Sequence, residues 1–489
     1  MKSVTLRQTL YRTLAGSFFL LHAAAGCLPV FADAPDHTQP VRAQVWQSQS
    51  ALQDLGMAVS ESFPLSHWWE TFEDPTLNAW VTQALENNPE LAVLEERVNE
   101  ARSMANLARA PLFPSLSVGA SYAWQQYSRN QFLFPIQQRT FHVFNMPIKA
   151  GYELDLFGKN IQAWRAEKSR YHATELSALA ARSTLAATVV SAYWNLLLAD
   201  SQLSEQETLV TLSADQLTHA QALFDAGQIA GDQLDTSKQL AAQQHAEMAR
   251  LKANQVIAAQ TLVLLAGGNP SLPGEPQRGN LKDAVMPEHF PVGLPSELIT
   301  HRPDLAALEA RMKAARLDVS SARRRLLPSF RIDAQSGLSA IGLNNFFDWQ
   351  SLSSILSPSF NWDIFTGGAA TAGFRIVKSR HKQLADTYRG TMLQALGEVE
   401  AALVDIGRHR QMLADVETQA DAVASIARHD YQRLTVGLVA QPQWITSELV
   451  NREYRKALAQ EQAALLVSYA SLMHALGGGM LPDPAPQKP

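Results

Sequence analysis

The sequence predicts a mainly α-helical chain with β-barrel strands, built as two tandem copies of one unit: a helix, two alternating strands and a long helical hairpin. Three observations predict it. Residues 85–116 align without a gap onto residues 299–330. Four segments alternate between apolar and polar residues. Two proline-free stretches, between Pro147 and Pro270 and between Pro358 and Pro442, carry helical periodicity.

The duplication is read position by position, because a missed repeat misassigns the whole fold. Pro89-Glu90-Leu91 meets Pro303-Asp304-Leu305, Arg97 falls on Arg311, and Pro114-Ser115 falls on Pro328-Ser329. Further along, Asp155-Leu156-Phe157 pairs with Asp363-Ile364-Phe365, Ala226-Gly227 with Val436-Gly437, and Gly267-Gly268 with Gly477-Gly478. The landmarks keep one order in both halves.

Each copy opens with a helix, from about Pro75 to Ala110 and from about Pro295 to Leu327. The strands come next, at about 114–126 and 142–157 in the first copy and about 328–340 and 351–365 in the second. Leu116, Val118, Tyr122 and Trp124 alternate with Ser115, Ser117, Ser121 and Ala123, and the other three segments alternate likewise. Such segments fit barrel strands that are apolar outside and polar inside. A soluble sandwich strand also alternates, so the duplication and the flanking helices carry the preference. The helical stretches from Lys159 to Phe224 and from Gly368 to Leu434 would each extend about 100 Å at about 1.5 Å per residue. Apolar residues recur every three and four, as in Leu393, Leu396, Leu403 and Ile406. Gly227 and Gly437 interrupt these helices and predict the turn of each hairpin. Gly267-Gly268 and Gly477-Gly478-Gly479 close the shorter return helices.

Bulk composition narrows the function. The chain has 489 residues and a net charge of -5, which argues against a nucleic-acid binder. No internal stretch reaches the roughly 20 apolar residues of a spanning helix. A membrane crossing would therefore need a closed barrel. There is no metalloprotease, phosphate-loop or nucleophile-elbow motif, so no enzyme, catalytic residue, metal or cofactor is expected. His245 and His381 read as solvated histidines on polar helix faces.

At the N-terminus, Lys2, Arg7 and Arg12 precede an apolar run from Leu14 to Val30, the layout of a secretory signal. Within it lies Ala24-Ala25-Gly26-Cys27, with the chain's single cysteine. The preferred reading is a lipobox with lipid on Cys27. Ordinary cleavage near Ala32 or Ala34 is the other. The expected boundaries are a signal peptide at 1–26, an extension and equatorial segment at 27–74, a first repeat at 75–268, a proline-rich linker at 269–296, a second repeat at 297–479 and a disordered tail at 480–489.

These landmarks resemble the outer membrane factor family, the TolC-like exit ducts of bacterial tripartite efflux and type I secretion systems, and within it the lipoproteins serving resistance-nodulation-division pumps. The residues that carry the resemblance are Trp68-Trp69, Phe72 with Asp74-Pro75, Glu153-Leu154-Asp155-Leu156-Phe157-Gly158, Leu294-Pro295-Ser296-Glu297-Leu298, Arg302-Pro303-Asp304-Leu305 and Leu476-Gly477-Gly478-Gly479. The resemblance implies a homotrimer in the bacterial outer membrane, lipid-anchored. Four strands per protomer would form one twelve-stranded barrel continuous with a periplasmic coiled-coil tunnel. It implies a periplasmic adaptor and an inner-membrane pump as partners, and small drugs or other amphiphilic compounds as cargo. Type I protein secretion, metal efflux and a periplasmic coiled-coil scaffold are the alternatives.

Two candidate sites emerge. Val436-Gly437-Leu438 looks like the family's adaptor-contacting tip, with Ala226-Gly227 as its repeat partner. Asp232 and Asp235 in the first copy, with Tyr431 and Arg433 in the second, are candidates for the residues that close the periplasmic end. From Tyr431 to Ser447 there is no acidic residue, so an acidic constriction is expected from the first copy.

Overall fold

The computed structural model describes residues 46, 58–60, 62–64, 66–128, 140–271, 276–287, 289–293, 295 and 298–481. The chain divides into two units at Pro40, and all the described helices and strands belong to the second, Val41–Pro489. Cys27, Ala32 and Ala34 lie outside the described residues, as does the tail beyond Leu481.

The expected first helix is two. Helix α1 spans Pro75–Asn87 and α2 spans Pro89–Arg109. Pro89 disfavours the helical conformation at the preceding residue, and Asn88 is extended, with φ -68° and ψ 122°. The second copy repeats the break. A short helix at Leu298–His301 ends before Arg302, and Pro303–Arg324 comes after it. These are α5 and α6, after the long helix α3 (Lys159–Asp225) and its return α4 (Gly231–Leu265). The second hairpin is α7 (Ala369–Thr435) and α8 (Gln441–Ala475).

The helices form a single layer. Towards the hairpin turns its order is α4, α3, α8, α7. Towards the strands it is α2, α3, α6, α7. Thus α2 continues the path of α4, and α6 that of α8. The two junctions are made alike. Asn88 Nδ2 donates to the Leu265 carbonyl at the end of α4, at 2.9 Å, while its Oδ1 caps Glu90 N at 2.8 Å. In the second copy Arg302 Nη1 donates to the Ala475 carbonyl at 2.8 Å and to Glu398 at 2.8 Å. Its remaining nitrogens hold Asp304 at 3.1 and 2.8 Å. Gly267 and Gly477 permit the close approach, since a Cβ on either would lie 2.3 Å from the Asn87 or His301 carbonyl oxygen.

The described strands form a main antiparallel sheet and a small parallel pair. Strand β1 (Ala58–Ser60) pairs separately, in parallel with β5 (His289–Pro291). The main sheet contains β2 (Ser115–Val118), β3 (Ser121–Gln126), β4 (Thr140–Leu154), β6 (Ser329–Ala340) and β7 (Leu352–Asn361). The expected strand at 114–126 is interrupted. Both halves pair with β4 in one continuous register, so the break at Gly119 and Ala120 lies opposite Pro147 and Met146. Pro147 has no N–H to give the ladder. Its carbonyl still accepts from Gly119 N at 3.1 Å. Across β6 it faces Gly337, where a Cβ would meet the Met146 carbonyl oxygen at 2.2 Å.

The core is mainly aliphatic, and an aromatic cluster within it sits where the N-terminal turn at Trp68–Phe72 ties the two copies together. The Phe72 ring is 5.2 Å from Trp194 on α3 and 5.3 Å from Tyr469 on α8. Asp74 caps α1, accepting from Thr76 N at 2.8 Å, and also accepts from the Tyr193 hydroxyl at 2.6 Å. Burial and this bond to a carboxylate raise the Tyr193 pKa.

Arg302 is the junction residue whose loss costs most, since its side chain is only 7% exposed. Arg302→Ala is expected to lower stability by about 2 kcal/mol, because the Ala475 carbonyl loses its donor and the part-exposed Asp304 and Glu398 carboxylates lose their counter-charge. Asn88→Ala should cost about 1 kcal/mol. Burial opposes ionisation of Asp304, yet the Arg302 hydrogen bonds and charge outweigh it and hold the carboxyl below its ordinary value. A depressed pKa stabilises above the unfolded value, about 3.9, and that contribution is lost as pH falls through the folded one. The gap in thermal midpoint between wild type and Arg302→Ala should therefore narrow below about pH 4, read by circular dichroism of the detergent-purified protein.

Candidate functional site

The sheet has one mainly apolar and one mainly polar face, with Ser336 and Ser354 on the first and Ile355 on the second as exceptions, and register assigns every residue to one. Even-numbered residues share one face: Leu116, Ala150, Ala334 and Leu356 form one row, Leu154, Phe330 and Phe360 another. Odd-numbered residues share the other: Ser117, Lys149 and Gln335 in one row, Glu153, Arg331 and Ser359 in the next. Arg331 pairs with Asp333 at 2.8 Å and Lys159 with Glu153 at 2.5 Å.

The apolar face is uncovered. Leu116 is 76% exposed and Leu356 70%. Burying a large aliphatic or aromatic side chain is worth about 1.5–3 kcal/mol, so a row of them left in water is unfavourable. A sandwich would cover this face with a second sheet. Here nothing among the described residues does. From Phe144 to Leu154, β4 runs ten residue steps. That is about 33 Å along the strand. At a tilt of about 40° it becomes about 25 Å, the height of the apolar band of an outer-membrane barrel. Aromatic residues mark the helix-proximal rim, with Phe330 5.2 Å from Phe360 and Phe157 6.5 Å from Phe330.

The strand-to-helix turn explains the Asp155-Leu156-Phe157-Gly158 run. Asp155 accepts from Asn160 N at 3.1 Å and Ile161 N at 2.8 Å, which satisfies the first amides of α3. The second copy departs from this. Thr366 Oγ1 accepts from Ala370 N at 3.2 Å, and Asp363 does not cap the helix.

At the far ends of the hairpins, both turns are Schellman stops. Gln228 N donates to the Leu223 carbonyl, and Leu438 N to the Arg433 carbonyl, each at 2.8 Å. Gly227 and Gly437 adopt φ +70° and +75°, a region that glycine enters without strain. Val436 is 68% exposed and Leu438 75%. Ala226 is also exposed.

All four gate candidates are solvent-exposed in the single chain. Asp232 accepts from Gln233 N at 2.9 Å, and Asp235 pairs with Lys238 at 3.1 Å. Tyr431 packs against Trp444, centroids 5.5 Å apart, and Arg433 lies 3.8 Å from Asp430. The acids sit on α4 and Tyr431 with Arg433 on α7, at opposite edges of the helix layer. Within one chain the structure does not bring the two pairs together.

Sequence reasoning missed Asp430. It is buried and bonded to the Ser447 hydroxyl, tying α7 to α8 just behind the tip. Its spacing of three from Arg433 was the available signal. His245 is exposed, whereas His381 is half-buried and its Nδ1 has no hydrogen-bond partner; burial, with Arg316 nearby, lowers its pKa. No group of three or more histidine, cysteine or acidic side chains converges among the described residues.

Comparison with known proteins gives one match per copy. The family described as outer membrane efflux protein matches residues 80–268 and 294–478. The pyoverdine export outer membrane protein OpmQ of Pseudomonas putida is 28% identical over 457 residues, covering 90% of this chain and 92% of that protein. The cation efflux system protein CusC of Escherichia coli is 27% identical, covering 91% and 95%. Among solved structures, the outer-membrane channel OprN superposes with a TM-score of 0.81 at 24% identity, covering 93% of this chain and 100% of that one.

Removing the Asp430 carboxylate breaks the bond between α7 and α8 and leaves the Ser447 hydroxyl only the Gln443 carbonyl of its own helix, at a cost of about 1–2 kcal/mol. Asp430→Ala should therefore speed amide hydrogen exchange across residues 431–447 by about tenfold, with the strands and the α2 and α6 junctions unchanged.

Proposed function

Since this chain belongs to the outer membrane efflux protein family, we propose that three copies close into a twelve-stranded barrel and a helical tunnel that passively conducts small molecules out of the cell. The observation that carries the reading is the uncovered, two-faced sheet with open edges at β2–β3 and β7. Unpaired strand edges are not tolerated in lipid, and closed bacterial barrels need at least about eight strands. One chain cannot supply them. The apolar rows would face lipid and the Lys149, Arg331 and Asp333 rows the aqueous lumen.

Closure of the helix layer would set α4 of one protomer against α7 of the next. Exposed Val256, Ile257 and Leu264 on α4 and Leu393, Val404 and Ile426 on α7 supply apolar surface for that seam. The same closure would bring Asp232 and Asp235 near Tyr431 and Arg433 across the protomer boundary, as a gate at the periplasmic end. Exposed pairs of this kind contribute about 0.2–1 kcal/mol each. Three seams then total about 3 kcal/mol at most, a bias of roughly a hundredfold towards the closed state. A docking protein could reverse that bias. Exposed Val436 and Leu438, beside Ala226 and Gly227 on the other hairpin, fit a periplasmic adaptor working with a pump of the resistance-nodulation-division type. Cys27 would carry the lipid anchor.

The cargo is proposed as drugs or other amphiphilic compounds. The names of the relatives widen the field, with pyoverdine export for OpmQ and cation efflux for CusC. Energy would come from the pump.

In planar bilayers the wild-type trimer should conduct poorly. Arg433→Ala, or Asp232→Ala with Asp235→Ala, should raise its open probability by about tenfold or more. A trimer that never conducts, with either set of substitutions, would sink the duct reading. For the anchor, labelled palmitate should attach to the wild type and disappear in Cys27→Ala; label retained by the variant would refute Cys27 as the acceptor.

A further inference from the structure

The loop between β6 and β7, residues 341–351, is used by neither the lumen nor the tips, yet it is rich in apolar side chains. It lies at the end of the sheet away from the helices, because β6 ends at Ala340 and β7 begins at Leu352. Trp349 is 83% exposed, and Ile341, Leu343 and Phe347 are exposed as well. The loop's fold is fixed locally. Ser351 Oγ donates to the Asn345 carbonyl at 2.7 Å, and Asp348 N to the same carbonyl at 3.1 Å.

An apolar loop at a barrel mouth has two places to go. It can fold over the pore and constrict it, or fold outward into the bilayer. Phe346 decides between them. It is only 7% exposed, and its ring packs 6.0 Å from Phe144. Phe144 stands opposite Tyr122 and Ala340, in the apolar row that faces away from Lys149 and Gln335. The anchor therefore pulls the loop onto the lipid side of the sheet. At the same level and on the same face, the Tyr122 hydroxyl is 2.8 Å from His142 Nδ1, and Trp124 stands opposite His142. Aromatic and polar groups mixed at one level suit the head-group boundary.

We infer that residues 341–351 form a membrane-seated anchor, with Phe347 and Trp349 held in the outer leaflet of the outer membrane and the pore mouth left open. The occupant of this surface is lipid, at the boundary between head groups and acyl chains. The apolar band already assigned to lipid is continuous with the loop through the Phe144–Phe346 contact. The inference rests on the barrel reading, and its test separates the two.

Spin labels are placed by Trp349→Cys, Leu356→Cys or Gln335→Cys, each in a Cys27→Ala background, and the trimer is reconstituted into phosphatidylcholine–phosphatidylglycerol vesicles. Collision rates with oxygen, which concentrates in lipid, are compared with those of a water-soluble nickel chelate. Positions 349 and 356 should both favour oxygen, and position 335 should favour nickel. Nickel preference at 349 with oxygen preference at 356 would overturn the anchor and leave the barrel standing. Nickel preference at 356 would remove the barrel reading, and the anchor with it. Phe347→Cys gives the same readout should the tryptophan variant not assemble. Single-channel conductance of a variant combining Phe347→Ser with Trp349→Ser, measured in an Arg433→Ala background that opens the tips, should match that of Arg433→Ala alone. A rise of about twofold or more would mean that the loop obstructs the pore, and would overturn the anchor.

Discussion

The structure depends on joining helices end to end without leaving their terminal groups unpaired. A helix leaves its last carbonyls and first amides unsatisfied, and burying such an end without partners is unfavourable. At two places this chain abuts the end of one helix on the start of another, inside a packed layer. Asn88 solves the problem once by bonding forward to Glu90 N and back to the Leu265 carbonyl. Arg302 solves it again, with a charge that the negative end of α8 favours. Through these junctions α3 keeps a neighbour on both sides and α7 on one side along their length, although each neighbouring path is built from separate segments. Four strands and four tip-directed helices per chain can then share one layer edge to edge.

That layer leaves edges, and the edges are the second constraint. Neither the sheet nor the helix layer closes within one chain, and both open on the same two sides. Assembly therefore has to satisfy the strand edges and the exposed apolar rows of α4 and α7 together. A scaffold with soluble strands would answer only the helical half. It would leave Leu116, Val118, Leu356 and Phe360 in water and the outer strands unpaired. The membrane reading removes both defects with one symmetric assembly.

Much of this was legible in the sequence because it comes from local rules. Alternation over Ser115–Trp124 placed those side chains on alternate faces, and proline-free periodicity marked the long hairpins. Even the breaks at Asn88 and Arg302 had a local cause in the prolines after them, although the expected helices ran through them. The interruption at Gly119 was not local. It arises because register sets that residue against Pro147, and register belongs to the pair of strands. The junction contacts were out of reach for the same reason, since Asn88 and Leu265 lie 177 positions apart. At the tips the exposed Val436 and Leu438 could be picked from their motif. That Asp430 turns inward to Ser447, and so is unavailable to an acidic constriction, needed the packing of α7 on α8.

The distribution of bond strength along the hairpins constrains where movement can occur. At the junctions, the Arg302 guanidinium is buried and holds two carboxylates and a carbonyl. Between there and the tips, Glu205 is buried against Arg452, and His409 bonds Glu461 across α7 and α8. Beyond Asp430 and Ser447 the charged pair Asp235–Lys238 is exposed, exposed Tyr431 lies on half-buried Trp444, and what is buried is apolar, Ile445 and Leu234. Buried charge networks resist separation because each partner stranded without the other is costly, whereas exposed pairs exchange with water at little cost. A hairpin strained by a docking protein should therefore yield first beyond the Asp430–Ser447 tie. An opening confined to the last turns needs only a small bias to reverse, and it leaves the wall that faces the membrane undisturbed.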